Sequence, residues 1–208
     1  MNPYLDLDVS EWKLQTKNLI EKHPVSTEFI SRSVLNVWKD ILETKIGKKA
    51  KIGVDIFPSP QMTGTLIHEL LPLEFEGIKP EGWRKERYSF DKDIVCLKDD
   101  FFSIEIKCSS SKNKIYGNRS YAQQPSDKKK SKDGYYIAIN FEKFSKDKEE
   151  PSQVTMIRFG WLNQTDWIGQ EKNTGQQASL SKESETHKLL EIFPVDRTKQ
   201  VEIQMRLF

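Results

Sequence analysis

Two cysteines, three histidines and no long apolar run are all that this 208-residue chain offers to several common chemistries. Cys96 and Cys108 are too few for a disulfide framework, and without further cysteines or paired histidines there is no zinc set. Such sparse cysteine fits a reducing cytoplasm. No stretch approaches the roughly 20 apolar residues needed to cross a bilayer, so no membrane partner is expected. The opening residues, Met1-Asn2-Pro3-Tyr4-Leu5-Asp6, lack the basic segment and apolar run of a signal peptide. Neither sign of charge dominates, the net value being +2. Internal repeats and composition breaks are also missing, which predicts one domain over 1–208: a helical part at 1–50, a central core at 51–165, and C-terminal strands and loop at 166–208.

What the chain does contain is enough apolar material for a packed core. Hydrophobic residues make up 36% and aromatics 11%, which argues against disorder even at 31% charged. Charge is unevenly spread. Residues 107–132 carry eight Lys or Arg against one acid, Asp127, whereas the span from Glu69 to Glu86 is acid-rich. A local basic segment suits a polyanionic partner, although the run Lys128-Lys129-Lys130 reads equally well as a solvated loop.

Periodicity predicts a first helix from an N-cap at Ser10 to His23-Pro24. A second begins at Ser26 or Thr27 and carries an apolar stripe as far as Ile46, with Gly47 as its stop. Ser59-Pro60 opens a third helix that should end before Pro72. Residues 74–88, with Gly77, Pro80 and Gly82, should be irregular, and so should the polar stretch 163–181; in the polar stretch 109–124, residues 116–119 read as a turn and Ser120 as the start of a short helix. Strands are expected at residues 135–141, buried on both faces, at 154–161, and as short closing strands at 189–195 and 201–208 turned at 196–199.

The chemistry concentrates in residues 93–107. Two apolar runs, 94–97 and 101–106, flank Lys98-Asp99-Asp100 and read as a hairpin. Alternation in the second run sends Ile104, Ile106 and Cys108 to a core and leaves Ser103, Glu105 and Lys107 on the opposite face, with Asp93 at the start of the neighbouring strand. Two carboxylates supply hard oxygen ligands for a hydrated divalent cation such as Mg²⁺, and the Ile106 carbonyl adds a third oxygen. A lysine two residues on can hold or help deprotonate a water aimed at phosphorus. An acid followed two residues later by lysine occurs four times, at Glu11/Lys13, Glu43/Lys45, Glu105/Lys107 and Asp127/Lys129. Only the third lies in an apolar strand behind a second strand that opens on aspartate. The competing reading of that pair is an exposed ion pair on an edge hairpin.

Asp93, Glu105 and Lys107 resemble the metal-binding and catalytic residues of the PD-(D/E)xK nuclease superfamily. The continuation from Cys108 to Gln123 resembles type II restriction endonucleases, although Lys92 stands where the proline of the motif's name would be. The resemblance implies an α/β, restriction-endonuclease-like core with a mixed central sheet flanked by helices. It also implies a Mg²⁺-dependent enzyme that cuts double-stranded DNA at a specific, palindromic sequence. Asp93, Glu105 and Lys107 become the catalytic residues, and Asp93, Glu105 and Glu69 the metal ligands, with Glu74 and Glu81 competing for the last place. His68 reads as a surface residue. Ser109, Lys112, Lys114, Asn118, Arg119, Tyr121, Gln123 and Gln124 are the expected DNA contacts, because forked side chains read base edges while Lys and Ser suit phosphates. A homodimer is expected, and a cognate DNA methyltransferase as a genetic partner. The alternatives are a structure-specific or repair nuclease of the same fold, or a DNA-binding protein without catalysis.

Overall fold

The computed structural model describes residues 2–78, 82–123, 130–171 and 175–193. Helix α1 (Val9–Lys22) is capped by Asp8 and not by Ser10. The Asp8 carboxylate accepts from both the Ser10 amide and the Ser10 hydroxyl, and Glu11 reaches back to the Asp8 amide, a reciprocal arrangement a serine cap could not complete here. Helix α2 (Thr27–Glu43) starts as expected, with Ser26 Oγ accepting from the Phe29 amide. It ends earlier than its apolar stripe suggests. Thr44 turns extended, and β1 (Lys45–Ile46) pairs with β2 (Ala50–Lys51) around Gly47 and Lys48, both at positive φ, which leaves Ile46 59% exposed.

Helix α3 (Pro60–Ile78) has Ser59 Oγ accepting from the Met62 amide, but it does not stop before Pro72. Proline removes one hydrogen bond to the preceding turn; continuing the helix sets Phe75 on the buried line already begun by Ile67 and Leu71. Glu74 is therefore helical. Beyond α3 the expected irregular span is interrupted by β3 (Trp83–Lys85).

The central sheet continues with β4 (Ile94–Cys96) and β5 (Ile104–Ser109). After β6 (Tyr116–Asn118) come β7 (Gly134–Phe141) and β8 (Val154–Leu162). The chain then forms β9 (Trp167–Gly169), β10 (Gln177–Leu180), α4 (Lys182–His187) and β11 (Leu189–Phe193). Six strands form a mixed sheet in the order β11-β8-β7-β5-β4-β3, in which β5 and β7 run parallel and the other neighbours antiparallel. The fold is thus α/β with a mixed central sheet and flanking helices, as the sequence implied. Residues 196–199 and 201–208, read as a turn and a last strand, lie outside the described residues.

The β4/β5 hairpin is shorter than expected. The strands pair only at Ile94 and Ile104, because Asp100–Phe102 form a 3₁₀ turn with Asp99 accepting from the Phe101 amide. Strand β5 is also not an edge: it lies between β4 and β7, which removes the exposed-hairpin reading of Glu105 and Lys107.

Alternation along β7 divides the interior. Tyr135, Ile137, Ile139 and Phe141 join Ile104 and Ile106 in a large core with the residues of α2 and α3, while Tyr136 and Ala138 face a smaller cluster containing Ile115, Tyr121, Trp167 and Ala178. That second cluster is covered by a three-stranded sheet, β6-β10-β9, built from the two polar stretches expected to be loops. Among the described residues no helix is long and apolar enough to cross a membrane.

Strand β8 meets β11 so closely at Gly160 that a Cβ there would lie 1.9 Å from the Lys188 carbonyl oxygen. Gly160→Ala is expected to cost about 2–3 kcal/mol through this overlap. Urea denaturation measures it, and a midpoint equal to that of the parent would refute the close approach.

Candidate active site

Asp93 sits one residue before β4, where the chain turns into the sheet. The hairpin's brief pairing leaves the Ile106 amide open to a side chain, and Asp93 Oδ2 accepts from it at 2.6 Å. The preceding turn is held by a second aspartate: Asp91 Oδ2 accepts from Arg84 Nη1 at 2.6 Å and from the amides of Arg87 and Tyr88. The Arg84 bond, followed by the two amides, outweighs the opposing effect of burial and holds the Asp91 carboxyl down at about 2.

On β5, Glu105 and Lys107 share the face opposite Ile104 and Ile106, as alternation predicts, but that face is covered. Glu105 is 4% exposed. Its Oε1 accepts from Tyr121 Oη at 2.5 Å and from Lys107 Nζ at 3.0 Å. Its Oε2 lies 2.7 Å from Lys130 Nζ, an ion pair without hydrogen-bond alignment, so this buried oxygen has no aligned donor. Lys130 Nζ also donates to Asp93 Oδ1 at 2.9 Å, and Lys107 Nζ to the Ile106 carbonyl at 3.1 Å. The ring of Tyr121 lies under two ammoniums, Lys107 at 4.7 Å and Lys132 at 4.0 Å from its centre.

Burial alone would raise the Glu105 carboxyl, but the ammoniums of Lys107, Lys130 and Lys92 overcome it and hold the group well below the usual carboxylate range. Burial pulls Lys107 and Lys130 down, and the facing charges of Glu105 and Asp93 reverse this, leaving both raised and cationic. His68 Nδ1 approaches Asp93 Oδ2 at 3.5 Å; burial lowers its pKa more than Asp93 restores it. It is half-buried against the site and not simply a surface residue. Burial and then Asp93 push the Glu86 carboxyl up.

The structure brings together Asp93, Glu105 and Lys107. It does not add Glu69, whose exposed carboxylate pairs with Lys85 across α3 and β3. Among the described residues no three His, Cys, Asp or Glu side chains gather into a ready-made metal cage. The donors present still suit Mg²⁺, which keeps several waters and takes few carboxylates: the carboxylates of Asp93 and Glu105, the Ile106 carbonyl, and the unaligned Glu105 Oε2. Glu74 faces away to accept from Asn36, and Glu81 lies outside the described residues.

Of the expected DNA contacts, Lys112, Lys114, Asn118 and Gln123 are exposed, and Ser109 is partly so, accepting from the Ser111 amide. Arg119 is half-buried and donates to the Gly175 carbonyl across the small sheet. Tyr121 is a correction. At 5% exposure, with its hydroxyl spent on Glu105, it supports the site from inside instead of meeting DNA. Gln124 lies outside the described residues. Sequence reasoning missed Lys130, hidden in a lysine run, and Glu86, one acid among several in its span. Both approach the hairpin only through folding, so no local pattern marks them.

The profile of one protein family, described as ScaI restriction endonuclease, matches residues 2–193. The chain is also 42% identical over 180 residues to the type II restriction enzyme ScaI of Streptomyces caespitosus, covering 86% of this chain and 79% of that protein.

Tyr121→Phe is expected to lower stability by about 2 kcal/mol, since a buried hydrogen bond to a charged acceptor is lost; guanidinium unfolding reads this, and no change would mean the hydroxyl does not hold Glu105. For Asp91 the folded pKa lies below the unfolded value of about 4. Its stabilisation is therefore full above that value and fades as pH falls toward 2. Asp91→Asn should remove about 2 kcal/mol at neutral pH and flatten the acid limb of the stability curve, which thermal melts from pH 2 to 7 would follow.

Proposed function

Since the chain belongs to the ScaI restriction endonuclease family, we propose that it is a Mg²⁺-dependent type II restriction enzyme that cuts both strands of double-stranded DNA at a specific palindromic sequence. As a site-specific deoxyribonuclease it hydrolyses phosphodiesters, and the observation that supports this assignment of residues is the convergence of Asp93, Glu105 and Lys107 on one buried polar point. Asp93 and Glu105 would hold the divalent cation, with the Ile106 carbonyl beside them. When bound, that cation offsets the charge that develops on the phosphate oxygens.

The chain's own groups do the rest. The Ile106 amide fixes the Asp93 carboxylate, and Tyr121 fixes that of Glu105, so both acids are oriented before substrate arrives. Lys107, positively charged and gripped by Glu105 and the Ile106 carbonyl, directs N–H donors at the attacking water and the scissile phosphate. The exposed side chains of Lys112, Lys114, Asn118 and Gln123 meet the duplex, the lysines on phosphates and the amides on base edges; Ser109 and Arg119 border them. One site per chain and a twofold recognition sequence call for a homodimer. Two free cysteines fit a reducing cytoplasm, where a partner methyltransferase would protect the host's own DNA.

Purified protein with plasmid DNA and Mg²⁺ should yield discrete fragments. Asp93→Ala and Lys107→Ala should each lower the cleavage rate by about 10³-fold while retaining the parent's fold by circular dichroism. Intact plasmid accompanied by a mobility shift would leave a DNA-binding protein only. Sedimentation at twice the mass of the chain would support the dimer, and a monomer on cognate DNA would exclude it.

A further inference from the structure

Lys130 has no part in the catalytic roles above, yet it contacts more carboxylates than any other described side chain of the site. Its ammonium lies 2.9 Å from Asp93 Oδ1, 2.7 Å from Glu105 Oε2 and 3.8 Å from Glu86 Oε2. Those three carboxylates come from the turn after β3, the entrance of β4 and the start of β5, and the amine comes from the approach to β7. With 15% of its side chain exposed, the lysine has left most of its water to stand among them. One of its contacts, Glu105 Oε2, is buried and lacks an aligned hydrogen-bond donor. A spherical ion has no donor direction to satisfy, whereas an ammonium has three.

We propose that Lys130 is an internal counter-cation: its ammonium offsets part of the charge of the Asp93, Glu105 and Glu86 carboxylates when no divalent ion is bound, and it must withdraw for that ion to enter. This rests on the reading of Asp93 and Glu105 as metal ligands. The physical reason is charge bookkeeping at short range. Asp93 and Glu105 repel each other at this range, with Glu86 adding to the repulsion from farther out, and an ammonium within ion-pair distance of all three relieves it at a smaller desolvation cost than a hydrated Mg²⁺. A divalent ion supplies twice the charge to the same oxygens. The two cannot share the point between Asp93 and Glu105, so ion affinity is reduced by the free energy of the contacts that Lys130 gives up. Once displaced, the ammonium stands beside the site as a free cation, and a DNA phosphate is the anion available to receive it. In that way ion entry and backbone contact become coupled steps.

The test uses DNA-free protein. Isothermal titration with Mg²⁺, and Mn²⁺ binding followed by electron paramagnetic resonance, are measured on the parent, Lys130→Met and Lys130→Gln, with thermal melts in chelator and in excess Mg²⁺. Lys132→Met, which removes a nearby ammonium that touches no carboxylate of the three, serves as control. The expected result is about ten-fold tighter ion binding in both Lys130 variants, a lower melting temperature in chelator, and a larger rise on adding Mg²⁺ than in the parent or the control. Unchanged or weaker ion binding in a folded Lys130 variant overturns the proposal. If the parent cuts DNA while its ion affinity ignores Lys130, this inference alone falls; if the parent binds no ion and cuts nothing, the metal-site reading beneath it falls as well.

Discussion

A carboxylate removed from water stays ionised only if cations and donors accompany it, and Glu105 makes that demand of the whole molecule. Its side chain is enclosed beneath the small sheet, and the groups that keep it charged arrive from three places: Lys107 from its own strand, Tyr121 from the crossover, Lys130 from the lead into β7. Each must be in place for the others to be tolerable. An unpaired Lys107 would be as costly as an unpaired Glu105, and the Tyr121 hydroxyl needs its acceptor just as much. The polar cluster therefore acts as a specification for the fold around it, because displacing any one element strands a buried charge.

That specification explains the division of labour between the two sides of the central sheet. One side is apolar and helical, with Ile104, Ile106, Ile137 and Ile139 packed against α2 and α3. It supplies most of the hydrophobic burial and gives β5 a fixed floor. On the other side Tyr121, Tyr136 and Trp167 form an aromatic cluster, and Glu105 and Lys107 are buried beside it and paired. Asp93 connects the two by spending its carboxylate on a backbone amide that a longer hairpin would have used in its own ladder.

Much of this is written locally. The 2-residue alternation of β5 was enough to put Glu105 and Lys107 on one face, and the unbroken apolar run of β7 marked a strand buried on both sides beside them. Helix α2 was legible at its start because Ser26 caps it through a contact three residues away. What stayed hidden depends on tertiary gain that overrides a local signal. Pro72 fails to stop α3 because Phe75 has a core to reach, and the stripe of α2 outruns the helix because Ile46 joins a hairpin. The small sheet was hidden most completely: Tyr116–Asn118 and Gln177–Leu180 have ordinary loop composition, and each becomes a strand only when the other is alongside. Glu69 has suitable chemistry, but the fold sets its carboxylate beside Lys85, a pairing that nothing in the local sequence marks.

The pairing of β6 with β10 joins two stretches nearly sixty residues apart into one exposed platform, in register from Asn118 opposite Gln177 to Tyr116 opposite Ser179. Asn140 and Arg158, buried in the sheet below, clamp the segment just before it through the carbonyls of Ser111, Asn113 and Lys114. Replacement of residues on this surface is consequently constrained from two directions at once. A change in either arm is felt by its partner strand, and Tyr121, which follows β6 and bonds Glu105, carries it to the polar cluster beneath, so replacements across the platform are concerted and not made one residue at a time.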